Sequence, residues 1–103
     1  ALALSDDNFL AASFLGEVER LRGELPAARA HFEQALEANK AYVPAMLGLG
    51  RTLEQLGELG EAKKALNRAL RNDADNAEAL RALERVERRL GRPPAPGAGK
   101  DEE

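Results

Sequence analysis

A chain of 103 residues with no cysteine and a formal charge of -3 is one domain at most, with neither a disulfide framework nor a thiolate metal site. That mild charge favours neither nucleic acid nor an anionic membrane surface, and no apolar run nears the roughly 18 residues of a membrane span. Three Phe and one Tyr leave the core to Leu and Ala, both strong helix formers, so an all-α chain without strands is expected.

In chain order, residues 1–8 (Ala-Leu-Ala-Leu-Ser-Asp-Asp-Asn) read as the end of a helix and its following turn, or as a disordered start. Ala35-Leu36-Glu37-Ala38-Asn39 and Ala69-Leu70-Arg71-Asn72-Asp73 have the same pattern. On this reading the chain begins inside a repeat and is the C-terminal part of a longer array. Helices are predicted over 9–22, 25–38, 43–56, 59–72 and 77–90, with short connections that set neighbours antiparallel. Segments 9–42 and 43–76 align without a gap at a spacing of 34 residues. Ala11 meets Ala45, Leu15 meets Leu49 and Gly16 meets Gly50. Gly23-Glu24-Leu25 meets Gly57-Glu58-Leu59, Ala28 meets Ala62, Phe32 meets Leu66, and Ala35-Leu36 meets Ala69-Leu70. Small and apolar positions recur while the rest vary, which marks stacked helical repeats.

Leu15 and Leu49 are expected to anchor the first helix of each unit. Gly16 and Gly50 are expected to admit a close second helix, because a helical Gly costs about 1 kcal/mol relative to Ala and needs a packing reason. Gly23 and Gly57 should end the first helices in the left-handed conformation, and Pro26 suits a first turn. In 77–90, Leu80, Leu83, Val86 and Leu90 form an apolar stripe, but Glu84 stands where Gly16 and Gly50 stood. That segment therefore reads as a capping helix with a polar outer face. Gly91 and Pro93-Pro94 end it, and 91–103 is a Pro/Gly-rich acidic tail, flexible by composition.

These residues resemble the tetratricopeptide repeat (TPR) family: Leu-Gly in the first helix, a turn Gly, and Ala, a large residue and Ala in the second. The units depart from the pattern at Ala12 and Met46, where the family has Trp, at Glu19 and Leu53, where it has Tyr, and at Lys40 and Ala74, where it has Pro. The resemblance implies an α-solenoid of antiparallel helix pairs in a right-handed superhelix: TPR 1 at 9–42, TPR 2 at 43–76 and the cap at 77–90. It also implies a protein-protein interaction scaffold that binds a peptide or partner domain in the groove of the first helices. Self-association into homo-oligomers is one rival, and a regulatory segment of a larger multi-repeat protein is another. RNA binding is the weakest.

No catalytic constellation is legible. His31 is the sole His, with no second His or Cys to complete a site. Asp73, Asp75 and Asn76 lack the Gly and Glu of a calcium loop and read as an inter-helix turn with Asp75 or Asn76 as N-cap. No enzyme, cofactor, metal, nucleic-acid or membrane function is expected. Within the TPR resemblance, the clamp that grips acidic chaperone tails falls on Ser13, Glu17, Gly48, Glu78 and Ala82, none of which fits. The groove positions implied are Leu10, Ser13, Glu17 and Arg20, then Pro44, Leu47, Arg51 and Glu54, then Glu78, Arg81, Arg85 and Arg88. Residues at equal register are expected to pair, Glu17 with Arg51 and Glu54 with Arg20 or Arg88. Arg81 and Arg85 then lack an acidic neighbour other than Glu78, which predicts a net positive cap end beside Leu47. Such a site suits an acidic segment with one apolar side chain, and the tail Asp101-Glu102-Glu103 is a candidate occupant. At the N-terminal edge, Phe9 and Phe14, with Leu10, are candidate oligomer contacts.

Overall fold

The computed structural model describes the backbone of residues 5–91 and the side chains from residue 9 onward. The expectations for residues 1–4 and for the tail 92–103, its acidic end included, lie outside the described residues. Five helices follow one another: α1 (Ser5–Leu21), α2 (Leu25–Ala38), α3 (Val43–Leu56), α4 (Leu59–Asn72) and α5 (Ala77–Gly91). They form an all-α helical-repeat solenoid. In it α1, α3 and α5 make a front row, and α2 and α4 pack behind them.

The connections have local chemical causes. Gly23 and Gly57 take φ of 83° and 86°. In both turns the Gly N–H and the following Glu N–H donate to carbonyls three and five residues back. The bonds are Gly23 to Arg20 and Glu24 to Glu19, then Gly57 to Glu54 and Glu58 to Leu53. That pair of bonds satisfies carbonyls the helix would otherwise leave open, and it needs a left-handed residue. Pro26 and Pro44 sit in the first turns of α2 and α3, where a missing N–H does no harm. Asn76, not Asp75, caps α5: its side-chain oxygen accepts from the Ala79 N–H at 2.8 Å.

α3 lies at the centre and touches all four other helices. Ala28, Phe32, Ala35 and Leu36 of α2 are buried, as are Ala62, Ala65, Leu66 and Ala69 of α4. The close approach assigned to Gly16 and Gly50 is present. A Cβ at Gly16 would stand 3.0 Å from the Phe32 ring, and one at Gly50 2.8 Å from the Leu66 side chain. Gly48 adds a contact the repeat alignment gave no reason to expect, since a Cβ there would fall 2.3 Å from the other side of Phe32. The Phe32 ring is thus held between α1 and α3.

Three expectations are corrected. α1 starts at Ser5, so Ser5–Asn8 is helical where the alignment placed a turn. Leu15 is 45% exposed and does not anchor α1, although Leu49 packs against the core. Leu49 lies between α2 and α4, whereas the flank of α1 that faces away from α3 meets no helix among the described residues. On α5 the buried residues are Ala79, Ala82 and Val86, while Leu80 and Leu90 are about half exposed. Leu80 corresponds to fully buried Met46, which α4 covers from the back row. α5 packs on α4 and α3, and among the described residues no helix covers its far side, so its outer face is mixed rather than polar. Glu84 is exposed there.

Candidate functional site

The front row presents two adjoining hollows. The first, of about 420 Å³, is lined by Leu10, Ser13, Phe14 and Glu17 of α1, by Pro44, Leu47, Gly48 and Arg51 of α3, and by Glu78 of α5. Tyr42 and Phe32 complete it. The second, of about 270 Å³, is lined by Arg20, Arg51, Glu54, Gln55, Arg85 and Arg89. Of the groove positions named from the sequence, Leu10, Ser13, Glu17, Pro44, Leu47, Arg51 and Glu78 come together in the first hollow, and Arg20, Arg51, Glu54 and Arg85 in the second. Arg81 and Arg88 line neither. Arg89, absent from the expected set, takes the place at the cap end because it lies one turn beyond Arg85 on the same helix face.

Helix geometry explains the walls. Leu10, Phe14 and Glu17 stand three and four residues apart and so share a face of α1. On α3, Leu47 and Arg51 do the same. Pro44 lies in the first turn of that helix, and Tyr42, just before it, closes the hollow's end. The Tyr42 ring is fixed edge-on by Phe9, with centroids 4.9 Å apart at 68°, a favoured aromatic arrangement. Phe9 therefore enters the local core rather than the open edge. Phe14 stays 70% exposed at the rim.

The ion pairs do not follow equal register. Glu17 holds Arg20 on its own helix rather than Arg51. Arg20 is 7% exposed and also donates to Gln55 Oε1 at 3.0 Å. Arg51 reaches Glu78 at 2.7 Å. Glu54 accepts two bonds from Arg85, at 2.6 and 2.8 Å, so Arg85 is not the unpaired cation the sequence suggested. These cross-helix pairs are 27 and 31 residues apart, shorter than the 34-residue repeat by two turns and by about one. Adjacent front helices cross at an angle, so a long arginine on one meets a carboxylate nearer the start of the next or the end of the last. The Arg85 guanidinium bonded to Glu54 holds that carboxyl below its ordinary range, against the opposing effect of burial.

The electrostatics differ between the hollows. Glu17 and Glu78 stand in the first where an acidic chaperone tail would need cations. The second gathers four arginines around one glutamate. Neither holds a nucleophile-base pair. Among the described residues no group of three or more His, Asp or Glu could hold a metal ion, and no helix is long and apolar enough to cross a membrane. His31 lies on the back row, its Nδ1 2.6 Å from Glu19 Oε1. Glu19 occupies the family's Tyr position, and His31 is the partner of this departure.

Comparison with known proteins follows this geometry. Residues 20–86 match the model of a tetratricopeptide repeat. No curated protein matches the chain. A solved structure described as the first TPR of Spaghetti (RPAP3) bound to HSP90 peptide SRMEEVD superposes with a TM-score of 0.80. Its sequence identity is 24%, over 82% of this chain and 68% of that one, a likeness of fold. A repeat model that spans most of the sequence, on a solenoid whose turn glycines and interlocking small residues recur unit by unit, makes this chain a member of the tetratricopeptide repeat family.

Proposed function

We propose that this protein-interaction module binds a short extended segment of a partner protein in its front groove. One apolar side chain enters the 420 Å³ hollow, and an acidic group follows into the arginine-lined one. The observation that supports this is the adjacency of the two hollows. Leu10, Phe14 and Leu47 give the first an apolar wall, and Arg20, Arg51, Arg85 and Arg89 outnumber Glu54 in the second. Among the described residues Arg20, Arg51 and Arg85 pair with Glu17, Glu78 and Glu54, which leaves Arg89 to meet a ligand carboxylate, as a planar fork able to bind it bidentately. Arg81 and Arg88 add positive charge on the same helix without lining either hollow.

The test is fluorescence polarisation with labelled octapeptides that carry one Leu or Phe three residues before two Asp. Wild type should bind in the micromolar range or weaker, with affinity falling as salt rises. Leu47→Glu and Arg89→Glu should each weaken binding about tenfold or more. Equal binding by wild type and both variants, with melting unchanged, would remove the groove from the interaction.

A further inference from the structure

The described flank of α1 that faces away from α3 has an internal template for what fits it. α3 presents Ala45, Gly48 and Leu49 to α2. Ala45 is fully buried, Gly48 meets the Phe32 ring, and Leu49 shares a hollow with Glu33 and Leu36 of α2. The repeat places Ala11, Phe14 and Leu15 at the same positions of α1, and all three are exposed. α1 thus repeats the surface that α2 covers on α3, with one exchange: Phe14 stands where Gly48 stands.

We propose that this flank docks an amphipathic helix of a partner protein, seated on α1 as α2 is on α3, with a small residue where α2 carries Phe32. The exchange sets the requirement. At Gly48 even a single Cβ would come within 2.3 Å of the Phe32 ring, so a Phe at the corresponding place leaves no room for a second large side chain. The bulk has moved from the covering helix to the covered one. A small residue opposite Phe14 restores the fit, with apolar residues on either side for Ala11 and Leu15. A further observation favours a helix from another molecule over one continuing directly from α1. Elsewhere the chain passes from back row to front row through Asn39–Tyr42 and Asp73–Asn76. The corresponding Ser5–Asn8 is helical, so the four-residue return that places α2 behind α3 is not formed at α1.

The flank shares Phe14 with the first hollow, so amide shifts at Ala11 and Leu15, as against Leu47 and Arg51, are what separate this inference from the proposed peptide groove. Two probes are made from the α2 sequence, Leu25–Ala38, each stapled on its solvent face to hold it helical. One is native and one carries Phe32→Ala. Each is titrated into the isotopically labelled chain and followed by NMR. Wild type should bind the Phe32→Ala probe about tenfold more tightly than the native one, because overpacking of that size weakens association to that degree. Phe14→Gly should reverse the order, and Phe14→Ala, which keeps helix propensity, should at least erase it. Perturbed amides should centre on Ala11 and Leu15. The inference is overturned if neither probe binds, if probe order is the same for all three chains, or if shifts centre on Leu47 and Arg51. It is also overturned if sedimentation shows a dimer buried at Ala11 and Leu15, which would give the face to a second copy.

Discussion

Gly48 and Glu54 each carry a consequence that can be measured. A helical Gly→Ala change ordinarily stabilises by up to about 1 kcal/mol. At Gly48 the new methyl would strike a ring that is itself buried, so Gly48→Ala should cost about 1–3 kcal/mol. Phe32→Leu in the same chain should recover part of the loss. Gly60, with open space around its Cβ, is the control, and Gly60→Ala should be neutral or stabilising in urea denaturation. Glu54 is 8% exposed and held ionised by Arg85. A carboxyl with a depressed folded-state pKa contributes stability above its unfolded value, about 4.3, and loses it as pH falls through the folded value. Glu54→Gln should therefore lower stability by about 1 kcal/mol at pH 7. The gap to wild type should narrow as pH falls below about 4.3 and through the lowered folded value, as read from urea midpoints at pH 7 and in acid. Gly16 and Gly50 could be understood from the sequence because each recurs beside a Leu at one spacing. Gly48 could not, since its counterpart is Phe14 and only the packed Phe32 ring reveals what it accommodates. The Arg85–Glu54 bond was hidden for another reason. Register fixes where residues sit along a helix but not the crossing angle between helices, and that angle decides which charges meet.

Among the elements, the turns are where sequence and structure agree most closely. Gly23 and Gly57 have no neighbour within reach of an added Cβ, so backbone strain alone opposes substitution. Gly57→Val should destabilise by about 1 kcal/mol or more, and the same change at Gly23 should do so by a similar amount, in thermal denaturation. Asn76→Ala removes the bond to the Ala79 N–H and should cost about 1 kcal/mol. Asp75→Ala, outside that bond, should cost little. The helices at the two ends were harder to read than the turns. Leu15 and Leu80 match residues that are covered on α3, and pattern matching counts them as core. Their exposure follows from having no helix on one side among the described residues, a fact that belongs to the stack and not to the helix.

For the molecule as a whole, packing is nearest-neighbour, with α3 in contact with every other helix and α1 and α5 each flanked on one side. Stability in such a stack is close to a sum of unit and interface contributions, and the ends open first. Hydrogen exchange should therefore show the slowest amides in α3 and the adjoining faces of α2 and α4. α1 and α5 should exchange faster, α5 despite its Asn76 cap. Uniform protection across all five helices would mean a single cooperative unit instead. The solenoid itself was legible from the 34-residue spacing, because a repeat that buries its apolar faces on its neighbour must state its packing rule once per copy.

Phe32 belongs to the back row, yet its ring passes between Gly16 and Gly48 to the floor of the first hollow. A side chain lodged there would press on a residue whose backbone lies in the opposite layer. The groove therefore has no separate foundation: its depth is set by the volume of one aromatic ring and the two absent methyl groups around it. Substitutions on α2 can therefore deepen or fill the recess from behind, and if the proposed peptide binds there, its specificity would drift through the rear of the molecule while every residue facing it stays unchanged.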